Sequence, residues 1–279
     1  MVGPTPVLGP LAQLHGPLVD TRPMDDFILT SRQYSLLWEG VKITLQLLAF
    51  AFTLGIILSV VFGVARLSRR RLVRGAALVY TEFARGISSL VLLFWMAFAL
   101  PILLGFSQWS SMVSGSIALG INMGGYGAEL VRGAILAVPK GQSEATIALN
   151  LTDMQRLRYV ILPQAMRVIL PPMGNLTIEI LKGTALVSLI SLRDLARQAD
   201  ILRTNRAVSQ EPLDIIGLFV TVLIMYFIMA QCINGLFRLL EWRVERRFQA
   251  RRSPADTFML PDAAVNIGPG PAPEESSGR

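Results

Sequence analysis

The chain is poor in the side chains from which most enzymes build reactive centres. Its 279 residues include one cysteine and one histidine, and they show no clustered carboxylates. Cys232 lies in an apolar run and His15 in a proline-rich segment, which excludes an internal disulfide and makes a thiol or histidine metal site unexpected. The sequence also lacks the Gly-x-x-x-x-Gly-Lys-Ser/Thr loop that cradles ATP phosphates. We therefore expect no catalytic residue, no metal and no cofactor in this chain.

Charged residues are scarce as well. They make up 16% of the sequence, against roughly 25% in soluble domains, whereas 52% of the residues are hydrophobic. The apolar residues gather into long runs, and about 18 consecutive apolar residues indicate a membrane-spanning helix. Five candidate spans cover residues 41–65, 88–104, 109–136, 165–190 and 213–237. The sequence thus predicts an all-α membrane protein with five transmembrane helices.

The two ends of the chain differ in composition from the part between them. Residues 1–23 hold five prolines without a periodic pattern, and residues 253–279 hold five more together with Gly, Ser and Glu. Such composition is typical of disorder. Met24 is expected to be the true start. We predict a disordered or weakly ordered N-terminal segment, a transmembrane domain and a disordered cytoplasmic tail, over residues 1–36, 37–245 and 246–279.

The net charge of +7 comes from arginines between the apolar runs, which membrane topology explains without a nucleic-acid partner. Basic residues gather after span one, between spans three and four, and after span five. With five spans these regions share one side, which the positive-inside rule makes the cytoplasm. The N-terminus is then outside and the C-terminus inside. Residues 193–212 depart from the rule, because they place four arginines beside three acidic residues on the outer side.

A short interruption follows span three. Ser143 is suited to cap a helix with Glu144 in its first turn, where the helix dipole favours negative charge. Asn150 tolerates the left-handed conformation that ends a helix. Thr152 and Gln155 have the spacing of a capping box, so a second helix is predicted to begin there.

The second helix is predicted to end at Leu162-Pro163, because the residue before a proline is pushed out of helical conformation. The result is two short helices at an angle, too short to span a membrane and too apolar for a free loop. Small residues in the first helix allow close approach of another surface, and they are Ala145, Thr146 and Ala148. We favour a docking site for another protein, and an amphipathic helix on lipid is the alternative.

This stretch resembles the cytoplasmic signature of ABC importer permeases. That signature reads Glu-Ala-Ala, three residues, Gly, nine residues, Ile, one residue, Leu-Pro. From Glu144 to Pro163 every spacing is kept, with Thr146 in place of Ala, Asn150 in place of Gly and Val160 in place of Ile. Further segments resemble the polar amino acid (histidine/glutamine-type) branch of this family: Thr44-Leu45, Ala65-Arg66-Leu67-Ser68, Tyr80-Thr81-Glu82-Phe83-Ala84-Arg85-Gly86, Ala128-Glu129-Leu130-Val131-Arg132-Gly133-Ala134, Val138-Pro139-Lys140-Gly141-Gln142 and Leu181-Lys182-Gly183-Thr184-Ala185-Leu186-Val187-Ser188.

The resemblance implies a type I ABC importer permease in the bacterial plasma (inner) membrane, with a cytoplasmic coupling helix pair between spans three and four. It implies a second permease copy or a sister permease, two ATP-binding-cassette ATPase subunits and an extracytoplasmic solute-binding protein as partners. The chain itself is then not an enzyme, and ATP hydrolysis on the partners drives alternating access. The residues that it assigns to ATPase coupling are Gly141, Glu144, Ala145, Thr146, Ala148, Asn150, Leu162 and Pro163.

Span four holds the candidate solute pathway. Pro171-Pro172 and Gly174 are expected to interrupt the helix, and broken backbone in a membrane is tolerated where it lines a cavity. Asn175, Glu179 and Lys182 follow at spacings of four and three, so they share a helix face. The candidate set is Asn175, Thr177, Glu179, Lys182 and Thr184.

Charges inside a membrane are costly, so this face requires an explanation. In a functional interpretation, Glu179 would face the ammonium and Lys182 the carboxylate of a zwitterion. The alternatives are a mutual ion pair that stabilises the bundle or a dimer interface, and a position of Lys182 near the membrane surface. Two other acid–base pairs are interpreted as structural, namely Glu129 with Arg132 and Glu82 with Arg85.

Three classes of function remain to be compared. The favoured one is an ATP-dependent importer permease for a polar amino acid or a similar small zwitterion. Ile87-Ser88 replaces the Thr-Pro that usually follows Arg-Gly in the branch, so a compatible solute such as ectoine or hydroxyectoine is the alternative substrate. A stand-alone channel or ion-coupled secondary transporter is less favoured, because many such transporters are built from internal repeats and this sequence shows none. A membrane enzyme or scaffold comes last.

Overall fold

A computed structural model describes residues 29–105, 110–209 and 215–249, and all regular structure in these ranges is helical. The expected start at Met24 and most of both predicted tails lie outside the described residues. The helices are α1 Ser31–Ala65, α2 Arg71–Gly86, α3 Ser89–Phe94, α4 Leu100–Leu104, α5 Ser111–Leu136, α6 Lys140–Ala148, α7 Asp153–Arg156, α8 Leu162–Gly183, α9 Leu195–Ser209 and α10 Ile215–Gln249. Two π turns and a 3-10 helix join neighbouring helices, at Trp95–Ala99, Leu157–Ile161 and Thr184–Ile190.

Helices α1 and α5 form the centre of the bundle and run in the same direction. A Cβ on Gly115 would meet Leu47, and a Cβ on Gly127 would lie 2.0 Å from Ser59 Oγ. Glycine at position 127 therefore permits a close approach that any larger residue would prevent, as small residues do in membrane helix pairs.

Helices α8 and α10 extend this centre. Met173 lies near Gly127, and Val187 lies near Gly115, so α8 runs opposite to α5. Helix α10 returns along α8 in the opposite direction, with Phe237 packed on α8. The buried side chains of the four helices form one continuous apolar core.

The bundle has two ends, named here after the short helices that mark them. The α9 end holds the starts of α1 and α5 and the connection from α8 to α9, where the Leu195 N–H donates to Thr44 Oγ1. Gly40 leaves room there for the Leu195 backbone, 2.8 Å from where its Cβ would be. The α6 end holds the ends of α1 and α5, helices α6 and α7, and the start of α8.

Helix α2 occupies the segment between spans one and two, where a loop was expected. Its second half packs on α5, where Tyr80 Oη donates to the Ile121 carbonyl at 3.1 Å. At Ile87 the chain bends by 103° between α2 and the helical run Ser89–Leu104. The many arginines of this segment concealed its helical spacing of small residues, because Ala77, Thr81 and Ala84 form its buried face.

Three helical stretches are long and apolar enough to cross a membrane: Ser31–Ala65, Asp153–Ile190 and Ile215–Arg246. A fourth results if α2 and Ser89–Leu104 count as one bent span. Helix α5, which matches the predicted third span, is not among the candidates found in the described residues. Glycines, serines and Asn122 lower its mean hydropathy. More than half of its residues are buried against other helices, where small side chains permit close packing.

The predicted interruption at Pro171-Pro172 is wrong. Helix α8 continues from Leu162 to Gly183 through both prolines, and it tightens into the 3-10 helix only at Thr184. A proline removes one backbone hydrogen bond, but the helix is held on both sides of the pair by buried residues such as Leu170 and Met173. Tertiary packing thus overrides the local tendency to break.

Candidate coupling site and solute face

Helix α6 lies on the surface of the α6 end. Thr146 is buried and its Oγ1 donates to the Ser143 carbonyl at 2.7 Å, whereas Glu144, Ala145 and Ala148 are exposed. The predicted cap at Ser143 is wrong, because the helix begins at Lys140, directly after a proline, and Ser143 and Glu144 are its fourth and fifth residues. Pro139 takes the N-cap position with φ of −55° and ψ of 136°, so the chain is extended until the helix begins.

The predicted helix end at Asn150 is confirmed. Asn150 adopts a left-handed conformation with φ of 56°. The Leu151 N–H donates to the Thr146 carbonyl and the Asn150 N–H donates to the Ile147 carbonyl. This pair of bonds is a Schellman motif, which satisfies carbonyls that the helix end would leave without partners.

The predicted capping box is also confirmed. Thr152 N–H donates to Gln155 Oε1 at 3.0 Å, and Gln155 N–H donates to Thr152 Oγ1 at 3.3 Å. The predicted end at Leu162-Pro163 is wrong, because α7 passes through a π turn directly into α8. The π turn widens the helix just before Pro163, whose ring would otherwise clash with the carbonyl four residues earlier.

Two side-chain contacts fix α6 and α7 to the bundle. Gln164 Nε2, at the start of α8, donates to Gln142 Oε1 of α6 at 3.1 Å. Arg69, in the turn between α1 and α2, lies 3.5 Å from a carboxylate oxygen of Asp153. The α6–α7 segment, residues 140–156, is therefore attached to α8 and to the end of α1.

Large apolar side chains on and beside this segment face outward, although nothing in the described part of the chain covers them. Their exposed fractions are 62% for Ile147, 73% for Leu149, 69% for Met154 and 66% for Tyr159. Exposed apolar groups of this size, close together at one end of a bundle, are typical of a surface for another macromolecule or a lipid boundary.

An ion cluster joins three helices beside the segment. Glu129 of α5 accepts from Arg66 at the end of α1 and from Arg132 one turn further along α5. Glu82 of α2 lies 4.0 Å from Arg66 and 3.7 Å from Arg85. The predicted pairs Glu129–Arg132 and Glu82–Arg85 are therefore present, and Arg66 links them. Sequence spacing could not have found that link, because Arg66 is far from both carboxylates along the chain.

The candidate solute residues divide into two groups. Asn175, Glu179 and Lys182 are exposed along one face of α8, here called the solute face. Among the described residues, Glu179 and Lys182 make no ion pair with each other. Thr177 and Thr184 are buried, and their hydroxyls donate to carbonyls of the same helix, so they do not belong to this face.

A cleft between α8 and α10 adjoins the solute face. Its volume is about 280 Å³, and its lining combines Lys182 with the amides of Gln231 and Asn234 on α10 and with apolar side chains. The two amides lie three residues apart in an apolar run and were not predicted as site residues. Polar side chains in an apolar span are the signal that could have identified them.

A helical bundle with several apolar helices of membrane-spanning length defines the class of integral membrane proteins. Residues 51–246 match the family described as the binding-protein-dependent transport system inner membrane component. The chain belongs to this family.

Curated relatives agree with the family. The chain is 41% identical over 220 residues to the probable amino-acid ABC transporter permease protein y4tF of Sinorhizobium fredii, covering 76% of this chain and 90% of that one. It is 32% identical over 210 residues to the glutamine transport system permease protein GlnP of Escherichia coli, covering 75% of this chain and 93% of that one.

Solved structures confirm the fold of an ABC transporter permease. A crystal structure of an amino acid ABC transporter with histidines matches with a TM-score of 0.66 and 33% identity, covering 76% of this chain and 95% of that chain. An inward-facing structure of the MetNI methionine ABC transporter matches with a TM-score of 0.60 and 22% identity, over 77% of this chain and 99% of that chain.

Proposed function

We propose that this chain is the transmembrane permease subunit of an ATP-binding-cassette importer for a polar amino acid or a similar small zwitterion. The observation that carries the proposal is the α6–α7 segment, which joins the signature spacing from Glu144 to Pro163 to an exposed surface. The names of the relatives, an amino-acid permease and a glutamine permease, support the substrate class. The chain would hydrolyse no ATP itself, because that step belongs to the partner ATPases.

Five membrane crossings are the topology we infer within residues 37–245. Helix α1, the bent run from α2 to α4, α5, α8 and α10 follow one another in alternating directions, as the contacts along α5 and α8 support. The α6 end then faces the cytoplasm, because the arginines at the ends of α1 and α10 and in the α6–α7 segment lie there. The N-terminus is outside in this arrangement and the C-terminus inside.

The α6–α7 segment would enter a groove on one ATPase subunit, and a second permease would present the same segment to the other ATPase. Ala145 and Ala148 permit close approach, and Ile147 and Leu149 offer apolar side chains that become buried on docking. Leu162 and Pro163 would transmit the movement, because they lie where the segment becomes α8. Gly141, with open space around its Cβ position, leaves room for the partner.

The solute face would line the pathway at the interface with the second permease. Glu179 would receive the ammonium of the solute and Lys182 its carboxylate, and Gln231 and Asn234 would supply further hydrogen bonds. Because Glu179 and Lys182 are exposed and not paired with each other in the described chain, both remain available to a zwitterion. An extracytoplasmic binding protein would deliver the solute from the α9 end.

The experiment is uptake of radiolabelled amino acids into proteoliposomes that contain the permease with its partner ATPases and binding protein. Glu144→Lys places an opposite charge and a longer side chain in the docking surface, so we expect uptake and ATPase co-purification to be lost while membrane insertion is kept. Glu245→Lys is the control, because Glu245 is an exposed carboxylate near the other cytoplasmic helix end, and it should retain uptake. Normal uptake by Glu144→Lys would reject the docking role.

A further inference from the structure

Helix α9 is a polar helix at the α9 end of a largely apolar protein. Its inner side holds Leu195, Gln198 and Ala199, which are buried. Its outer side exposes Arg203 and Thr204. A surface of this composition is solvated or faces another polar surface, because arginine is costly in lipid.

The start of α9 is held firmly in place. The Asp194 carboxylate accepts from the Arg197 N–H at 3.0 Å and from the Ala196 N–H at 3.4 Å, which caps the helix. The Leu195 N–H donates to Thr44 of α1, and Gly40 allows the two backbones to approach closely. Such a fixed surface loses little conformational entropy when a partner binds.

Among the described side chains of residues 193–205, three arginines stand beside two aspartates, and only one of these aspartates, Asp200, reaches the surface. Asp200 accepts from Arg197 at 3.0 Å and from Arg203 at 2.8 Å, so one carboxylate serves two guanidinium groups. Arg193 is exposed and forms no ion pair with any described residue. Asp194 is buried and its oxygens accept from backbone N–H groups at the helix start, so it forms no direct ion pair with the exposed arginines.

Arginines on the outer side of a membrane protein oppose the charge bias that sets its orientation. Three of them lie just before α9 or within its first nine residues, and α9 is fixed to α1, so they require an explanation other than topology. Basic surfaces attract acidic partners, steer their approach and discriminate against partners of like charge. The family description names a dependence on a binding protein, which must reach the permease from outside.

We propose that the α9 basic face, formed by Arg193, Arg197 and Arg203, docks an acidic surface of the extracytoplasmic binding protein. The proposal rests on the proposed function and on the placement of α9 outside the membrane. Arg193 and Arg203 make the direct contacts, because they are the more exposed of the three. Arg197 is less exposed, and it forms an ion pair with Asp200, one turn further along α9.

The test uses the intact complex of permease and ATPases in nanodiscs of zwitterionic lipid, with its cognate binding protein saturated with solute. The concentration of binding protein that half-maximally stimulates ATP hydrolysis is measured at low and high salt. For the wild type we expect this concentration to rise with salt. For the double variant Arg193→Glu/Arg203→Glu we expect an increase on the order of tenfold at low salt and a weaker salt dependence.

Two further variants separate charge from folding. Arg193→Lys/Arg203→Lys should keep most of the affinity, because steering depends on charge. Arg32→Glu, which changes an exposed arginine of α1 outside the α9 basic face, should change the half-maximal concentration less than twofold. An unchanged value for the double glutamate variant would overturn the proposal.

The outcomes also separate this inference from the proposed function. A wild-type complex that no binding protein stimulates would reject the importer itself. A wild type and a glutamate double variant that respond identically would reject only the α9 docking surface. The wild type and the glutamate double variant could also differ only in basal ATP hydrolysis, without binding protein and in nanodiscs of anionic lipid. That result would assign the face to lipid headgroups and would also reject docking.

Discussion

At the scale of single residues, Asp194 is a buried acid outside the membrane-spanning helices. Burial raises the pKa of its carboxyl from 3.8 to about 6, against the opposing effect of the backbone N–H groups of Arg197 and Ala196 and of the Arg197 guanidinium. The folded protein therefore binds this proton more tightly than the unfolded chain does. Its contribution makes the protein less stable as pH rises from about 4 to about 6, and the penalty stays constant above that range.

Asp194→Asn should remove this pH dependence. The amide keeps an oxygen that can cap α9 but cannot ionise, so the variant should match the wild type near pH 4 and exceed its free energy of unfolding above pH 6, by up to about 3 kcal/mol. Thermal unfolding of detergent-solubilised protein across this pH range measures the difference. Asp200→Asn, on the exposed side of the same helix, should give no such gain. Parallel pH profiles for wild type and Asp194→Asn would contradict the prediction.

At the scale of helices, the close pair of α1 and α5 depends on a few small residues. Ser59 is buried, and its Oγ donates to the Gly55 carbonyl at 2.6 Å while lying against Gly127. Neither the serine nor the glycine can move away, because both belong to the central helices of the bundle. The pair therefore sets the distance between these helices.

Gly127→Ala should destabilise the protein by about 1–3 kcal/mol, because its Cβ would overlap Ser59 Oγ. Ser59→Ala in the same chain should restore part of the loss by removing the hydroxyl. Gly133→Ala on the same helix is the matched control, since no atom lies within 4 Å of its Cβ position, and it should be neutral or stabilising. Detergent-based thermal unfolding would measure all three, and equal melting temperatures for Gly127→Ala and Gly133→Ala would refute the packing argument.

Local features of the coupling segment were predictable, and features that depend on distant packing were not. The left-handed Asn150 and the capping box of Thr152 with Gln155 need only neighbouring residues, and both are present. Pro163 and the Pro171-Pro172 pair were expected to break helices, but neighbouring helices hold α8 continuous.

The same division applies to the candidate site. The spacing of Asn175, Glu179 and Lys182 correctly predicted a shared helix face, because a single helix carries all three. The approach of Arg66 to Glu129, and of Gln231 and Asn234 to the solute face, depends on how helices pair. No periodicity along one segment contains that information. Helix α2 was missed for a related reason, since its buried face exists only against α5.

At the scale of the whole molecule, alternating helix directions place α9 and the α6–α7 segment at opposite ends of the bundle. Five crossings follow if α1, the bent run from α2 to α4, α5, α8 and α10 each span the membrane. The sides of the membrane on which the two ends lie can be tested directly, because the chain has a single natural cysteine.

In a Cys232→Ala background, Thr204→Cys on α9 should react with a membrane-impermeant maleimide applied to spheroplasts. Arg158→Cys beside α7 should react only after the membrane is permeabilised, because the proposed topology places its end of the bundle in the cytoplasm. Both positions are exposed, so solvent access does not limit the reaction. Labelling of both from outside would reject a membrane crossing by α8, which lies between the two positions, and the reverse pattern would invert the orientation.

The helical path from α7 through the π turn, α8 and the 3-10 helix covers residues 153–190 without a non-helical break. It is on the order of 55 Å long, and it carries the α7 carboxylate at one end and the solute face past its middle. Under the proposed coupling, such a path would act as a lever. A push on α7 would tilt it about its packing on α5, where Met173 lies beside Gly127, and the far end would move in the opposite sense. The force of ATP binding would then arrive at Glu179 and Lys182 as mechanical displacement, within a single rigid element.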